Sequence, residues 1–510
     1  MSPSLSAQNL TTLGGLLLVL AILVPFAGML IGFVFGGGNA QRVALATLAA
    51  GLAIAIAIAN ALAQSGKAVV YILGGWMPPL GVALRADGLS VVMLLTVAVV
   101  ICGIGVYARA DFGTPSGVKE ARAPLIFWLL LLAVWGSLNL VFVSGDLFTL
   151  YVALELLTFA AVPLVSLDGR TETVRSALRY LLYALLGSVL YLLGAVLLYG
   201  AYGTLDIPLL AARVRPEPAA WAALALMIAG LLAKTALFPL HLWLPPAHAG
   251  APAAASAVLS GLVIKGSWFL AMRLWFDVFA DVVTLPAAQT LAALGAAAIL
   301  VGNVVALRQT RLKLLIAYST VAQIGYLFLM FPLATGLATA GLDSAMAVNG
   351  GMLQAISHAT AKAAMFMAAG LVYTTLGHDR VADLRGVASA LPMTVLAFAL
   401  AGASLIGLPP SGGFLAKWLL ISVAITTAQW WWALVMLVGG LLTSVYVFIV
   451  VVRTLAPAHV GWNPKTTVPR YQQAAVLALA LCSFLLGAAV LCPVDVTQIG
   501  RTVSRNTVLP

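Results

Sequence analysis

Four lysines of this chain lie inside long apolar stretches, where a charged amine is costly. They are Lys234, Lys265, Lys362 and Lys417. An ammonium at the centre of a membrane helix costs roughly 2.5–3.5 kcal/mol on insertion scales, so each lysine needs a polar interior or a function. Glu155 is the one acidic residue at a similar depth, because it follows Asp146 by about nine residues, or roughly 13 Å of helix.

One carboxylate cannot neutralise four amines, so some of these lysines must lose a proton or face water. Apolar surroundings disfavour the ammonium, whereas a nearby carboxylate restores it. An amine balanced between these two conditions accepts and releases a proton as its neighbour changes, which is what a proton relay requires. The alternative is that each lysine extends to the membrane surface or forms one fixed ion pair. The presence of five such groups in separate helices favours the relay.

Histidines add to this pattern. His358 and Lys362 are four residues apart, so they share one helix face and can pass a proton directly or through water. His241 and His248 flank a proline-rich segment that follows Lys234. His248 lies near an expected helix end, and there a structural role is the better interpretation.

The composition shows which elements must position these groups. Only 8% of the 510 residues are charged and 63% are apolar, whereas a soluble protein has about 25% charged residues. This excludes a soluble enzyme, a disordered chain and a nucleic-acid-binding protein, although the net charge is +11. Long apolar runs predict helices and not a β-barrel. Three isolated cysteines indicate neither a disulfide framework nor a metal site, and we expect no cofactor.

The apolar windows predict an all-α integral membrane protein of about fourteen transmembrane helices. The predicted spans lie near residues 12–37, 42–62, 87–108, 122–144, 146–167, 174–200, 219–247, 252–279, 284–307, 312–333, 345–375, 391–422, 428–453 and 470–492. The segments that follow odd-numbered spans carry roughly twice as many lysines and arginines as the opposite side. We therefore predict a multi-pass protein of the cell inner (plasma) membrane, with a cytoplasmic basic side and both termini outside.

Prolines interrupt two of the predicted spans at mid-depth. Pro239 follows Lys234 in the seventh span, and Pro409 and Pro410 precede Lys417 in the twelfth. Proline removes an amide donor and clashes with the preceding turn, so both helices should break, next to protein or a water-filled cavity. Because the breaks are five spans apart, they predict two inverted five-helix repeats. One polytopic domain, 1–510, would then comprise three N-terminal helices in 1–121, repeats in 122–279 and 284–453, and a last helix in 470–492.

Six segments of the chain resemble, in the same order, motifs of the antiporter-like proton-translocating membrane subunits. They are GGWMPPLGVALRADGLS, GDLFTLYVALELL, KTALFPLHLWLPPAHAGAPAAASAVLSGLVIKG, LKLLIAYSTVAQIGYL, SHATAKAAMF and GLPPSGGFLAKW. Respiratory NADH:quinone oxidoreductases, membrane-bound hydrogenases and multisubunit Mrp-type cation/proton antiporters share this family. The chain departs from the family at Pro246, where an aspartate is common, so it lacks a carboxylate at the mouth of the seventh helix.

The resemblance implies a role for each ionisable group in the apolar core. By resemblance, the proton-translocating residues are, in order along an axis in the membrane plane, Glu155, Lys234, Lys265, His358, Lys362 and Lys417. The first two form an input pair, and the last one ends the axis. The candidates for access paths or helix breaks are Asp146, His241, His248, Pro239, Pro409 and Pro410.

The GGW motif and the chain length favour the D-type member of an Mrp-type sodium/proton antiporter complex. The expected partners are then other membrane subunits and the bilayer, and the expected ions are protons and sodium. One alternative is an antiporter-like subunit of a respiratory NADH:quinone oxidoreductase or a membrane-bound hydrogenase, whose partners would carry the redox chemistry. Another is a stand-alone solute transporter. In each case we expect a transporter or transporter subunit, and no enzyme activity in the chain itself.

Overall fold

The computed structural model describes residues 11–12, 14–115, 118, 121–335, 342–458, 464–488 and 497–500. Its first half contains helices α1 (Leu16–Phe35), α2 (Gly37–Ser65), α3 (Gly88–Asp111), α4 (Arg122–Val143), α5 (Leu147–Val165), α6 (Thr171–Tyr202), α7 (Ile207–Arg213), α8 (Pro218–Thr235) and α9 (Leu244–Gly250). Its second half contains α10 (Ala253–Val278), α11 (Leu285–Leu307), α12 (Leu312–Ala334), α13 (Leu342–Leu376), α14 (Pro392–Ile406), α15 (Gly412–Thr426), α16 (Trp430–Leu455) and α17 (Arg470–Leu485). Short helical turns lie at Leu73–Gly75, Val381–Asp383 and Val387–Ala390.

Twelve helices in this described part of the chain are long and apolar enough to cross a membrane. In lipid, every backbone donor needs a partner within its own segment, which is why continuous apolar runs fold as helices. The predicted twelfth span consists of the shorter helices α14 and α15, and the predicted last helix, 470–492, ends outside the described residues. The helical membrane fold is confirmed. The count of fourteen spans and the inverted repeats stay predictions, and both termini lie outside the described residues.

A β-hairpin precedes α3, which sequence reasoning missed. Strand β1 (Val69–Ile72) pairs in antiparallel register with β2 (Ala83–Ala86), so that Val69 lies opposite Ala86. Strands of four residues are too short for alternation to distinguish them from the ends of apolar helices. The hairpin leads into Asp87, whose carboxylate accepts an amide hydrogen bond from the first turn of α3 and thereby caps that helix.

Helices α10, α12 and α13 form the centre of the molecule. Every residue in the apolar window of α10 is buried inside the protein, compared with 28% of the window of α1. Lys265 lies in α10 and Lys362 in α13, so the packing of these helices keeps both amines away from lipid. A π-helical turn, Leu259–Val263, immediately precedes the turn that carries Lys265. Such turns frequently mark functional positions in helices.

Two helices break next to a lysine, and we call residues 236–243 the first break and residues 407–411 the second break. The chain leaves α8 at Ala236 (φ 59°) and α14 at Gly407 (φ 93°), both in the left-handed conformation. Helix α8 therefore ends one residue after Lys234, earlier than the position that proline predicted. The side chain of Trp243 contacts this helix end, because its N–H donates to a carbonyl in the last turn of α8 (3.0 Å).

The last helix, α17, packs against the second break. Pro409 and Pro410 lie in this break, between α14 and α15. Three buried hydroxyls, those of Ser357, Ser404 and Ser483, lie within 2.7–3.2 Å of one another and connect α13, α14 and α17. These contacts fix the end of α14, which forms part of the site described below.

Candidate functional site: the buried lysine axis

Glu155 and Lys234 form an ion pair at the first break. Glu155 lies in the middle of α5 and Lys234 in the last turn of α8, with the ammonium nitrogen 3.7 Å from the carboxylate oxygen Oε1. The hydroxyl of Thr158 accepts a hydrogen bond from the same ammonium (2.9 Å). The C-terminal end of α8 also favours a cation, because carbonyls without helical partners point there. The sequence predicted this pair, and the structure brings its members together.

Lys265 lies in α10 and has no counter-ion within the described part of the chain. Its side chain is buried, and its ammonium donates to the carbonyl of Ser260 (2.5 Å) in the preceding π-helical turn. The hydroxyl of Ser260 lies 2.9 Å from the hydroxyl of Thr320 in α12. The charge of Lys362 acts on Lys265. A backbone carbonyl of Ser260 therefore holds this amine, and the hydroxyl of the same residue connects it with α12.

Lys362 and His358 face α12 from one side of α13. The ammonium of Lys362 donates to the hydroxyl of Ser319 and to the carbonyl of Ile316 (3.2 Å). His358 is fully buried, and among the described residues neither of its imidazole nitrogens has a hydrogen-bond partner. Burying a polar group without a partner is unfavourable. These nitrogens are therefore available to a proton or to a water molecule.

Lys417 occupies the second break. Its ammonium donates to the carbonyls of Leu405 (2.7 Å) and Ile406 (2.9 Å) at the C-terminal end of α14, although the lysine itself belongs to α15. The ring of Tyr326 lies 4.3 Å from the same nitrogen, which is a cation–π contact. No carboxylate contacts Lys417 in the part of the chain that the structure describes. Backbone dipoles and an aromatic face hold this ammonium.

The polar face of α12 connects three of the four lysines, and sequence reasoning assigned no role to it. Ser319, Thr320 and Gln323 are fully buried along α12, within the segment YSTVAQIGY. Ser319 accepts a hydrogen bond from Lys362, Thr320 contacts Ser260, and Gln323 donates to the carbonyl that also binds Lys417. Their spacing of one, three and four residues, in an otherwise apolar helix, was the available signal. Neutral side chains of this kind are common in helices, so the signal was weak.

A cavity of about 480 Å³ opens on the side that we predict to be cytoplasmic. Its lining includes three acidic and three basic side chains, those of Asp111, Asp168, Glu172, Arg170, Arg311 and Lys313. Partial burial raises the pKa of Asp168, but hydrogen bonds from Thr173 and Arg170 outweigh it and hold this pKa below its usual value. The cavity is therefore polar and charged, as a water-filled vestibule requires.

His248 lies next to this vestibule, in α9. The vestibule is lined by its helix neighbours Pro246 and Ala249, while His248 itself is buried and stacks on Phe366 of α13, with ring centroids 4.6 Å apart. Its Nδ1 has no hydrogen-bond partner among the described residues, and the charges of Lys265 and Lys362 act on it. His248 therefore lies between the vestibule and the central lysines.

The other candidate access residues have local structural contacts. Asp146 caps α5 by accepting a hydrogen bond from the Thr149 amide (2.8 Å). His241 lies in the first break and stacks on Phe238, with ring centroids 5.5 Å apart. Neither residue contacts the central lysines through any hydrogen bond of the described residues.

A charged cluster lies at the opposite end of α10 from the vestibule. The guanidinium of Arg273 binds the carboxylates of Asp87 (2.5 Å) and Asp277 (2.8 Å) and stacks on Phe269. Burial raises the pKa of Asp87, but the charge and hydrogen bonds of Arg273 and the Ser90 amide outweigh it and hold this pKa below its usual value. The adjoining cavity has only about 30 Å³. Of these two cavities, the larger one therefore lies on the side that we predict to be cytoplasmic.

Comparison with known proteins identifies the group to which this architecture is related. Residues 144–443 match a protein family described as NADH:quinone oxidoreductase/Mrp antiporter, TM. The chain is 37% identical to the N-type subunit of the NADH-quinone oxidoreductase of Desulforudis audaxviator, covering 82% of this chain and 80% of that protein. It is 29% identical to the D-type subunit of the Na(+)/H(+) antiporter of Alkalihalophilus pseudofirmus, covering 84% of each chain.

The fold is similar to that of a chain in the Mrp complex from Dietzia sp. DQ12-45-1b. The two superpose with a TM-score of 0.84 at 25% identity, covering 95% of this chain and 96% of the other. The breaks and the buried lysines therefore lie within a fold that is shared over almost the full length of both chains.

Proposed function

The chain belongs to the NADH:quinone oxidoreductase/Mrp antiporter family, and we propose that it moves protons along its buried axis as a subunit of a monovalent cation (sodium)/proton antiporter. The axis comprises Glu155, Lys234, Lys265, His358, Lys362 and Lys417. One observation carries this proposal: the structure buries four amines in the membrane region, and among the described residues a carboxylate pairs with one of them, Lys234. Fixed charges in such a place would be costly, whereas groups that exchange protons have a function there.

The ion pair at the first break controls the first step of this mechanism. Opposite charges about 4 Å apart interact by roughly 4 kcal/mol at an effective dielectric of 20. When Glu155 and Lys234 are paired, their charges largely cancel; when they separate, the unpaired Lys234 ammonium disfavours a second positive charge on Lys265. Opening and closing of the pair therefore changes the proton affinity of Lys265.

Hydroxyl groups carry the step from Lys265 to Lys362. A hydroxyl both donates and accepts, so it can receive a proton on one lone pair and release its own. Lys265 donates to the backbone carbonyl of Ser260, and the hydroxyl of Ser260 contacts the hydroxyl of Thr320. The neighbouring residue on α12, Ser319, accepts a hydrogen bond from Lys362 through its own hydroxyl. His358 has two free nitrogens next to Lys362, and it accepts a proton when the charges on the two lysines change.

The vestibule on the basic side supplies protons to the axis, with His248 as the intermediate carrier. A neutral imidazole between a charged cavity and two buried amines has the geometry that this transfer needs. Lys417 is the other end of the axis and exchanges its proton with the opposite aqueous side. In this proposal the basic side is cytoplasmic, the membrane is the plasma membrane, and the termini lie outside.

Other membrane subunits are the proposed partners of the chain. The two relatives and the solved structure named above are subunits or parts of larger assemblies, according to their names. Glu155 supports this, because 15% of its side chain is exposed at mid-depth beside the exposed apolar residues Val152, Leu156 and Phe159. Exposure of a carboxylate to lipid is energetically unfavourable, so we expect a neighbouring protein and not lipid to contact this face of α5.

A second candidate function is a proton-pumping subunit of a redox-driven complex. The observation in its favour is the 37% identity to the NADH-quinone oxidoreductase relative, which exceeds the 29% identity to the Na(+)/H(+) antiporter relative. The axis would work in the same way, and partner subunits would carry the electron transfer. The chain itself then remains a transporter subunit without redox chemistry of its own.

Reconstitution of the assembled complex in liposomes tests the proposal. We expect Lys234→Ala and Glu155→Ala to abolish sodium-driven proton movement, while Lys67→Ala, which removes an exposed loop lysine, leaves it unchanged. Proton movement that requires an electron donor instead of a sodium gradient would select the redox-driven pump. Wild-type transport in both axis variants would reject the mechanism.

A further inference from the structure

The hydrogen bonds between α13 and Lys417 form a string without any ionisable side chain. Gln354 donates to the carbonyl oxygen of the Gln323 side chain (2.9 Å), and the amide nitrogen of Gln323 donates to the backbone carbonyl of Leu405 (3.2 Å). The ammonium of Lys417 donates to the same carbonyl (2.7 Å). Gln354 lies one turn from His358 on α13, so the string begins next to the central part of the axis.

A carboxamide responds to charge but does not carry a proton near neutral pH. Its nitrogen only donates and its oxygen only accepts, so the string has a fixed direction from Gln354 to Leu405. Hydrogen bonds in series polarise one another, and a change at one end alters the strength at the other. The string therefore transmits electrostatic change to Lys417 and no proton.

The carbonyl of Leu405 is the point at which the two donors compete. A backbone carbonyl has two lone pairs, and here one serves Gln323 and the other serves Lys417. The hydrogen bond from the Gln323 amide draws electron density from this oxygen, so the oxygen accepts the hydrogen bond from the ammonium less strongly. Gln323 thus reduces the stabilisation that the Leu405 carbonyl gives to the charged form of Lys417.

We infer that Gln323 is a positioning residue for Lys417, which sets how readily this lysine releases its proton and couples that release to α13. This inference rests on the proposed function, because it assumes that Lys417 exchanges a proton. Gln323 has this role although it does not titrate and touches no transported ion.

The titratable groups around Lys417 are few, so a pH profile can report on it. Helices α12, α13, α14, α16 and α17 pack against α15. Helix α14 contains no titratable side chain, and α15 contains none except Lys417. Among the titratable residues of the other helices, Tyr326 of α12 contacts the Lys417 ammonium. The remaining ones are Lys313 and Tyr318 of α12, Asp343, His358, Lys362 and Tyr373 of α13, Tyr446 and Arg453 of α16, and Arg470, Tyr471 and Cys482 of α17.

A second amide string in the same chain provides a matched control. Gln289 donates to the side-chain oxygen of Gln429 (2.7 Å), and Gln429 donates to the backbone carbonyl of Pro332 (3.1 Å). This arrangement repeats the one at Leu405, but no lysine shares its carbonyl among the described residues. Gln429→Met therefore removes the corresponding amide, which also donates to the hydroxyl of Thr427 (3.3 Å), without the proposed effect on a lysine.

The experiment is the pH dependence of proton-coupled cation flux in liposomes that contain the assembled complex. For Gln323→Met we expect the alkaline limb of the profile to move to a roughly two- to tenfold lower proton concentration, as expected for one hydrogen bond released to the ammonium. For Gln323→Glu we expect a larger shift in the same direction, because a carboxylate then faces the ammonium. Gln429→Met should follow the wild-type profile.

Two outcomes would overturn the role of Gln323. One is an unshifted profile for Gln323→Met, and the other is an equal shift for Gln429→Met. Gln323→Glu keeps the test valid if the methionine variant assembles poorly, since an unshifted Glu profile also rejects the role. If Lys234→Ala still abolishes flux in the same preparation, the proposed function survives such a result. If it does not, the proposed function fails on its own.

Discussion

Both breaks stabilise a buried lysine ammonium, but they do so with different groups. Each places a lysine ammonium at the C-terminal end of a half-helix, where free carbonyls favour a cation. At the first break the lysine belongs to that half-helix and faces a carboxylate, that of Glu155, at 3.7 Å. At the second break Lys417 comes from the following half-helix, and two carbonyls and the ring of Tyr326 hold it.

This difference indicates that the proton affinities of Lys234 and Lys417 depend on different groups around them. The charge around Lys234 changes when an opposite charge moves, which a neighbouring subunit can bring about. The ammonium of Lys417 is held by two backbone carbonyls and the ring of Tyr326, which stay in place, and Gln323 acts on it through one of these carbonyls. The first break is therefore suited to receive a signal and the second to release a proton.

The largest expected difference between the two breaks comes from replacing Lys234 and Lys417, one at a time, by arginine. A guanidinium stays charged at all working pH values. Lys417→Arg should reduce proton-coupled cation flux roughly tenfold or more, because this position must release its proton. Lys234→Arg should retain a substantial part of the flux, because a permanent cation still pairs with Glu155. Flux in liposomes measures both.

Equal loss in the two arginine variants would remove the distinction between the breaks. The amount of assembled complex, measured by purification yield, controls for folding of each variant. A greater loss for Lys234→Arg than for Lys417→Arg would reverse the roles that we assign.

A smaller effect is expected from Thr158, which belongs only to the first break. Its hydroxyl accepts a hydrogen bond from Lys234 (2.9 Å), and a bond to a charged group contributes about 1.5–3 kcal/mol. In Thr158→Val, Glu155 is the remaining side-chain partner of Lys234, so the ion pair should separate less readily. We expect cation flux to slow roughly two- to tenfold. Thr290→Val is the control, since Thr290 bonds only to a backbone carbonyl on an exposed part of α11. Identical rates in the two variants would contradict this expectation.

The smallest expected effect concerns the stability of the fold at acid pH, which limits the pH range in which transport through the two breaks can be compared. The pKa of Asp87 is lower in the folded protein than its usual value of 3.8, so its ionised form stabilises the fold at every pH above 3.8. This contribution is lost as the pH falls from there towards the lowered pKa. Thermal unfolding of wild type should therefore lose stability below pH 3.8 more steeply than that of Asp87→Asn. Parallel curves would show that the Arg273 cluster does not contribute.

The fold and the ends of the axis could be predicted from the sequence because both depend on rare events. A lysine or glutamate within an apolar run is costly, so Glu155, Lys234 and Lys417 stand out, and prolines at mid-depth mark the breaks. The polar face of α12 could not be predicted in the same way. Ser319 and Gln323 are neutral and cost little in a helix, and only packing shows which lysine each one meets.

Other features depend on geometry that has no local signature. A π-helical turn precedes Lys265, and no residue type in LSGLV requires it. Helix α8 ends in a left-handed residue, Ala236, three residues before Pro239, and alanine is not a residue type that marks such an end. The β-hairpin before α3 is too short to leave a pattern.

Lys265 gives the most direct test, because it lies between the two breaks, is fully enclosed in α10 and, like Lys362, has no counter-ion in the described part of the chain. Lys265→Met keeps the length and apolar stem of the side chain and removes the charge. We predict that the assembled complex remains at least as stable to heat as wild type, because an unpaired buried charge is removed, while proton-coupled cation flux in liposomes is lost. Flux at the wild-type rate in this variant would contradict transfer of protons along the buried axis.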